Sequence, residues 1–219
     1  MTRHCEEPKA TKQSYRLDCF VATLLATTGL LLYSNTFRSS FVFDDFQAIV
    51  GNQAIRNLKD LSLIWRAFNT RFIVGLSLAL NYALGQDNTL GYHLFNTLVH
   101  IFNSFWVYLL VKRTPPVPPS LNKEGGQRGE LVAFLTALIF LTHPIQTQAV
   151  SYIWQRATSL AAFFYLGALV FYIKGRLKGS WLGYGLWLLF TVLGMFTKEI
   201  VFTLPFMIAL YEFVFLSSP

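Results

Sequence analysis

The sequence predicts an all-α protein, a polytopic transmembrane helical bundle of about six spans with a long first outer loop that carries short interfacial helices. Three observations lead there. Of 219 residues 53% are hydrophobic and only 13% charged, too little charge to coat a soluble domain of this size. The apolar residues fall into runs that suit membrane spans of roughly 20 residues each. Between the runs the basic residues gather in three groups: Arg3, Lys9, Lys12 and Arg16; Lys112, Arg113, Lys123 and Arg128; Lys174, Arg176 and Lys178. Under the positive-inside rule all three groups face the cytoplasm. The net charge of +7 is thereby explained as topology, and no basic stripe with interleaved aromatics remains for nucleic acid.

Residues 1–18 read as a cytoplasmic tail, so the amino terminus is cytoplasmic, and 19–219 as a membrane domain. The first span, 19–37, is long for the apolar core of a signal peptide and no A-x-A-like site follows it, which makes it an uncleaved anchor. Cys5 and Cys19 lie in the tail and at the start of that span, so a disulfide framework is excluded. Residues 38–91 form the long outer loop. Within it, 72–84 (FIVGLSLALNYAL) is apolar but too short to span, and Ser77 and Asn81 share a face, which predicts an interfacial or re-entrant helix.

Span two, 92–111, returns to the cytoplasm. There 114–130, with the string PPVPPSLNKEGGQRGE, has the composition of a flexible loop. Span three, 131–141, breaks at His143-Pro144 because proline lacks a backbone donor and disfavours helix in the residue before it. The turn HPIQTQAVSYIWQR is placed outside. Span four, 157–173, leads through KGRLKG into span five, 181–196, whose outer end carries Thr197, Lys198 and Glu199. Span six, 200–215, is followed by no basic cytoplasmic loop, so the chain is expected to be part of a longer protein.

Asp44 and Asp45 follow FVF just beyond span one. Adjacent carboxylates at a membrane surface can bind a divalent cation, or one can act as a general base while its neighbour holds position; a solvated loop or a helix N-cap is the plain alternative. His93, Asn96, His100 and Asn103 recur at i, i+3, i+7 and i+10 and give span two a polar face directed into the bundle. For His100 and Asn103 interhelical hydrogen bonding is the simpler account, whereas His93, nearest the outer surface, is a site candidate. Arg71, Arg156 and Lys198 sit at outer helix ends against the positive-inside trend. Either they bind an anionic head group or they snorkel to ordinary lipid phosphates. Lys198 beside Glu199 is the most site-like. His143 could contact an acceptor or cap a broken helix. No H-E-x-x-H, glycine-rich phosphate loop or G-x-S-x-G occurs, which removes zinc-peptidase, nucleotide-fold and α/β-hydrolase readings.

Five strings in order, FVFDDFQAIVGNQAI, LSLALNYALG, GYHLFNTLVH, FLTHPIQTQAVSYIWQR and FTKEIVFTLPFMIALYE, resemble the amino-terminal membrane region of the transmembrane and tetratricopeptide repeat-containing protein O-mannosyltransferases and their bacterial relatives, of the GT-C glycosyltransferase superfamily. The resemblance covers about residues 41–212. It implies a transferase that takes a sugar, mannose in this family, from a polyprenyl- or dolichyl-phosphate carrier and gives it to a hydroxyl of a protein or glycan at the non-cytoplasmic face. The membrane would be the endoplasmic reticulum in a eukaryote and the inner membrane in a bacterium. It also implies that Asp44 and Asp45 supply the base or a metal-associated group. Lys198 and, second, Arg156 are then expected at the lipid phosphate, with His93, His143, Glu199 and Arg71 as acceptor or donor contacts. The family's carboxy-terminal spans and tetratricopeptide repeats do not occur in this sequence. Two other readings compete: a transporter or flippase that uses the His93 to Asn103 stripe, and an inactive truncated fragment.

Overall fold

The computed structural model describes residues 9–114 and 125–216. Every regular element is helical among them. The long helices are α1 (Lys9–Leu32), α4 (Thr89–Arg113), α5 (Gly125–Thr142) and α7 (Arg156–Lys178), with α8 (Trp181–Met195) somewhat shorter. Between α1 and α4 lie α2 (Leu61–Phe68) and α3 (Phe72–Gly85). A five-residue α6 (Thr147–Ser151) follows α5, and α9 (Leu204–Tyr211) closes the described chain. Four stretches are long and apolar enough to cross a membrane: Leu61–Gly85, Thr89–Arg113, Ile153–Lys178 and Glu199–Leu216. A fifth arises if Gly129–Thr142 and Pro144–Ser151, bent by 50°, make one broken span.

The bundle is organised around α4, which packs against α1, α5 and α7, while α7 and α8 form a hairpin. One core lies among α1, α4 and α5, where Leu25, Ile101, Tyr108, Ala137 and Leu141 are buried. Another, with Phe164, Phe190 and Leu193, joins α7 to α8 beside Val99 of α4. The α7–α8 turn uses Gly179 at φ +59 as a left-handed cap, a conformation that glycine adopts without steric cost. Gly183 then lies so close to Gly175 that an added Cβ would stand 2.7 Å from the Gly175 Cα. Outward, large side chains are exposed: Trp181 by 89%, Phe206 by 79% and Leu84 by 79%. A surface of that kind is stable against hydrocarbon, not water, and the protein is a membrane protein.

Three sequence expectations change. The expected loop 114–130 is shorter, because α5 already begins at Gly125. Residues 115–124 lie outside the described residues, as do 1–8 of the expected tail. Glu130 is not in a loop: it pairs with Lys112 at 3.2 Å, and Lys112 also meets Asp18 of α1 at 2.6 Å, so α1, α4 and α5 are tied at that end by charge-assisted bonds. The first helix ends at Leu32 and continues as a 3-10 turn, Ser34–Arg38. Finally, α3 matches the expected interfacial helix within one residue, but α2 and α3 together also reach spanning length. The break between them at Asn69, φ +46, leaves α3 at 14 residues, about 21 Å, short of the roughly 30 Å hydrocarbon core.

The first loop is held by its own chemistry. Asp60 caps α2 by accepting from the Leu63 amide at 3.0 Å, and that bond keeps its carboxyl below the usual range. Ile49, Ile55 and Ile64 bury against Val74, Leu78, Tyr92 and Ile153. Loop, α3, α4 and the start of α7 therefore share one core, and it lies at the end of the bundle where the candidate site is found.

Candidate functional site

Residues 152–158, which run from the α6–α7 turn into α7, contain Arg156 and touch Asp44, Asp45 and Lys198. The Trp154 amide donates to Asp45 Oδ1 at 2.8 Å, and the Val42 amide donates to Asp45 Oδ2 at 3.1 Å. Asp45 is 1% exposed. Burial pushes its carboxyl above the ordinary aspartate value, against the pull of those two amides. Asp44 faces out instead: it is exposed, and its backbone N–H donates to the Tyr152 hydroxyl at 3.1 Å. Phe43, just before the pair, takes φ +46 and stands edge-on to Tyr152. A bulky residue in that region carries strain of about 1–3 kcal/mol, here accompanying an abrupt change from an exposed carboxylate to a buried one.

The two aspartates were expected to act as a pair, as base and neighbour or around a cation. The structure separates them, since Asp45 has an amide on each oxygen. Of the two, Asp44 alone is exposed, and among the described residues no three His, Cys, Asp or Glu side chains come together. Among the described residues, then, no further His, Cys, Asp or Glu joins the two carboxylates as a third metal ligand.

Arg156 is the largest buried side chain, with no exposed surface. Its Nε donates to Asn96 Oδ1 at 2.9 Å, Nη1 to the Ser77 carbonyl at 3.2 Å and Nη2 to the Tyr92 carbonyl at 3.1 Å. The guanidinium also lies 4.3 Å from the Phe95 ring centroid, in cation–π range. Arg156 was expected at a lipid phosphate. It is instead an internal tie among α3, α4 and α7, its planar fork matched to fixed oxygen acceptors.

Lys198 is only partly covered. Its ammonium donates to Thr158 Oγ1 at 2.7 Å, and Thr158 in turn donates to Gln155 Oε1 at 2.7 Å. Arg71 pairs with Glu199 at 3.4 Å. Around them, Trp65 lies between Phe72 and Phe196 with its ring tilted to both, and the Ile73 amide donates to the Phe196 carbonyl at 3.0 Å. His143 is exposed and caps the next turn, its Nδ1 accepting from Ile145 N–H at 3.2 Å.

The polar face of α4 is largely consumed. Asn96 donates toward the Val150 and Ile153 carbonyls, His100 Nε2 lies 3.2 Å from the Leu141 carbonyl, and Asn103 donates to the Ser159 carbonyl at 2.9 Å. His93 Nε2 meets the Ser39 carbonyl at 3.2 Å. A carbonyl only accepts, so Nε2 carries the hydrogen, and the buried Nδ1 is left without a partner. These contacts are the interhelical bonds expected for His100 and Asn103. Sequence reasoning missed Tyr152, Gln155 and Thr158. Tyr152 and Gln155 lie in the string FLTHPIQTQAVSYIWQR, but nothing in it marked them out, and Thr158 lies just beyond it.

Comparison with known proteins adds the family. The chain is 33% identical over 193 residues to the protein O-mannosyl-transferase TMTC2 of Homo sapiens, a match that covers 76% of this chain and 21% of that protein. The chain belongs to the transmembrane and tetratricopeptide repeat-containing family. Other members are similar at 30% over 70% of the chain, for the protein O-mannosyl-transferase F38B6.6 of Caenorhabditis elegans, and at 27% over 92%, for Tmtc1 of Drosophila melanogaster. The chain spans about a quarter or less of the length of these family members: 23%, 24% and 21%. No family model matches the sequence, and no solved structure matches it.

Proposed function

We propose that this chain is the membrane part of a glycosyltransferase that moves a sugar, mannose by the names of its relatives, from a polyprenyl- or dolichyl-phosphate carrier to a hydroxyl of a protein acceptor at the non-cytoplasmic face, with the amino terminus in the cytoplasm. Asp44 is the general base. It takes the proton of the acceptor hydroxyl as that oxygen bonds to the anomeric carbon, while the bond from that carbon to the carrier's phosphate oxygen breaks. The phosphate leaves on the lipid, and Lys198 meets the charge it gains. Asp45 acts through Asp44 as a positioning residue. The observation that carries this reading is the local geometry of residues 152–158: one short segment bonds to the backbone beside the exposed Asp44, through Tyr152, and to the ammonium of Lys198, through Thr158.

The test is sugar transfer in proteoliposomes from a panel of polyprenyl-phosphate sugars to a Ser/Thr peptide. One donor should support transfer, and Asp44→Asn should lower it by about 100-fold or more. Undiminished transfer by Asp44→Asn removes the base. Movement of donor across the bilayer without transfer favours the flippase reading, and neither activity with any donor supports the inactive fragment.

A further inference from the structure

Lys198 and Glu199 are adjacent in the chain, yet they do not pair with one another. Glu199 turns to Arg71, whose Nη2 stands 3.4 Å from both carboxylate oxygens. The side chains of that pair are 35% and 55% exposed, and so open an ion pair adds little to stability. The pair is not needed to join α3 to the segment after α8 either, because the Ile73 amide to Phe196 carbonyl bond and the Trp65 ring contacts already do so.

What the pair changes is the charge around Lys198. Among the described residues no carboxylate lies within ion-pair distance of that ammonium, and its one hydrogen-bond partner is the neutral Thr158 hydroxyl. Thr158 accepts from Lys198 because its own hydrogen is given to Gln155. An ammonium has three N–H donors, so two are left for a ligand. Glu199 is close enough to interact electrostatically with Lys198, and Arg71 is the partner that its carboxylate pairs with instead.

We propose that Arg71 is a positioning residue that withholds Glu199 from a direct ion pair with Lys198, so that the Lys198 ammonium stays open to a phosphate group. The inference rests on the reading of Lys198 as the phosphate contact. It reverses the expectation that Arg71 and Glu199 themselves touch donor or acceptor. The shared chemistry is a phosphate monoester or diester, borne by a lipid or free in solution.

The test measures binding by the chain in phosphatidylcholine nanodiscs, with a short polyprenyl monophosphate in one arm and inorganic phosphate in the other. Arg71→Gln should weaken polyprenyl phosphate binding by roughly threefold to tenfold. Arg71→Gln with Glu199→Gln should return it to within about twofold of the parent, because the competing carboxylate is gone. Arg71→Lys should bind as the parent does, and all variants should elute as the parent does. Lys198→Gln should cost about tenfold or more. The same pattern with inorganic phosphate supports the inference and assigns the site to phosphate in general. Unchanged binding in Arg71→Gln overturns it, as does a double variant no better than Arg71→Gln, which would make Arg71 itself the phosphate contact. Unchanged binding in Lys198→Gln instead removes the phosphate reading beneath it, and the inference with it.

Discussion

Asp45 and Trp154, 109 residues apart in the chain, are joined by a 2.8 Å hydrogen bond from the Trp154 amide to Asp45 Oδ1. Through that bond the first loop is registered against the start of α7. With the Val42 amide on the other oxygen, each oxygen of the buried Asp45 is tied to the fold, whereas the neighbouring Asp44 is exposed.

The two aspartates should therefore answer mutation differently. Asp45→Ala strands two backbone donors and is expected to destabilise the protein by about 2–4 kcal/mol, read as a lower midpoint of thermal unfolding in detergent. Asp44→Ala should leave that midpoint unchanged. Equal losses from the two substitutions would contradict the division of roles.

The pH dependence of stability follows from Asp45. Its pKa in the fold is raised by burial, so folding favours the protonated form. The stability this group contributes is full below the ordinary aspartate value and is lost as pH rises through the raised value. Between those two values the unfolding midpoint should fall with rising pH, and Asp45→Asn should flatten the slope. A slope that survives in Asp45→Asn would assign it to another group.

Arg156 has a larger structural effect than any residue at the rim. Arg156→Ala strips the Asn96 Oδ1 of its donor and the Ser77 and Tyr92 carbonyls of their second one, and it empties the space of a large buried side chain, a cost of about 3 kcal/mol or more. Arg156→Lys cannot reach three acceptors with one ammonium and should also lose stability. Monodisperse yield after detergent extraction measures both, and a fully stable Arg156→Lys would show that the fork geometry is not needed.

The α7–α8 hairpin depends on the Gly175–Gly183 approach. Gly183→Val adds atoms where the backbone of α7 stands, with the Gly175 nitrogen 2.8 Å from the first of them, and is expected to cost about 1–3 kcal/mol. Gly185→Val is the control, because nothing lies within 4 Å of the added Cβ. Thermal unfolding of the two variants side by side decides whether contact or helix propensity is responsible.

Much of the fold was legible because it is local. The limits of α3, the break at His143-Pro144 and the polar face of α4 follow from apolar run length, proline chemistry and helical period. The start of α5 was not legible: GGQRGE has loop composition, and its helical state goes with a salt bridge from Glu130 to Lys112 that no local pattern encodes. At the site, the sequence placed Asp44 in the first outer loop and Lys198 and Glu199 at a helix end but could not rank Asp44 against Asp45. That ranking depends on Trp154, far along the chain. Arg156 was misread for the same reason, because an arginine opening an apolar helix looks identical whether it meets a lipid or three oxygen acceptors from other helices.

The separation of Asp45 from Trp154 also sets an order of assembly. At about 5–20 residues per second, the ribosome needs roughly 5 to 20 seconds after making Asp45 to deliver the amide that completes it. During that interval the first loop has left the ribosome without its partner, its carboxylate hydrated and its apolar side chains uncovered. The site can close only once α7 has begun to emerge, so a chain interrupted before that point would carry both aspartates and still lack the arrangement that tells them apart.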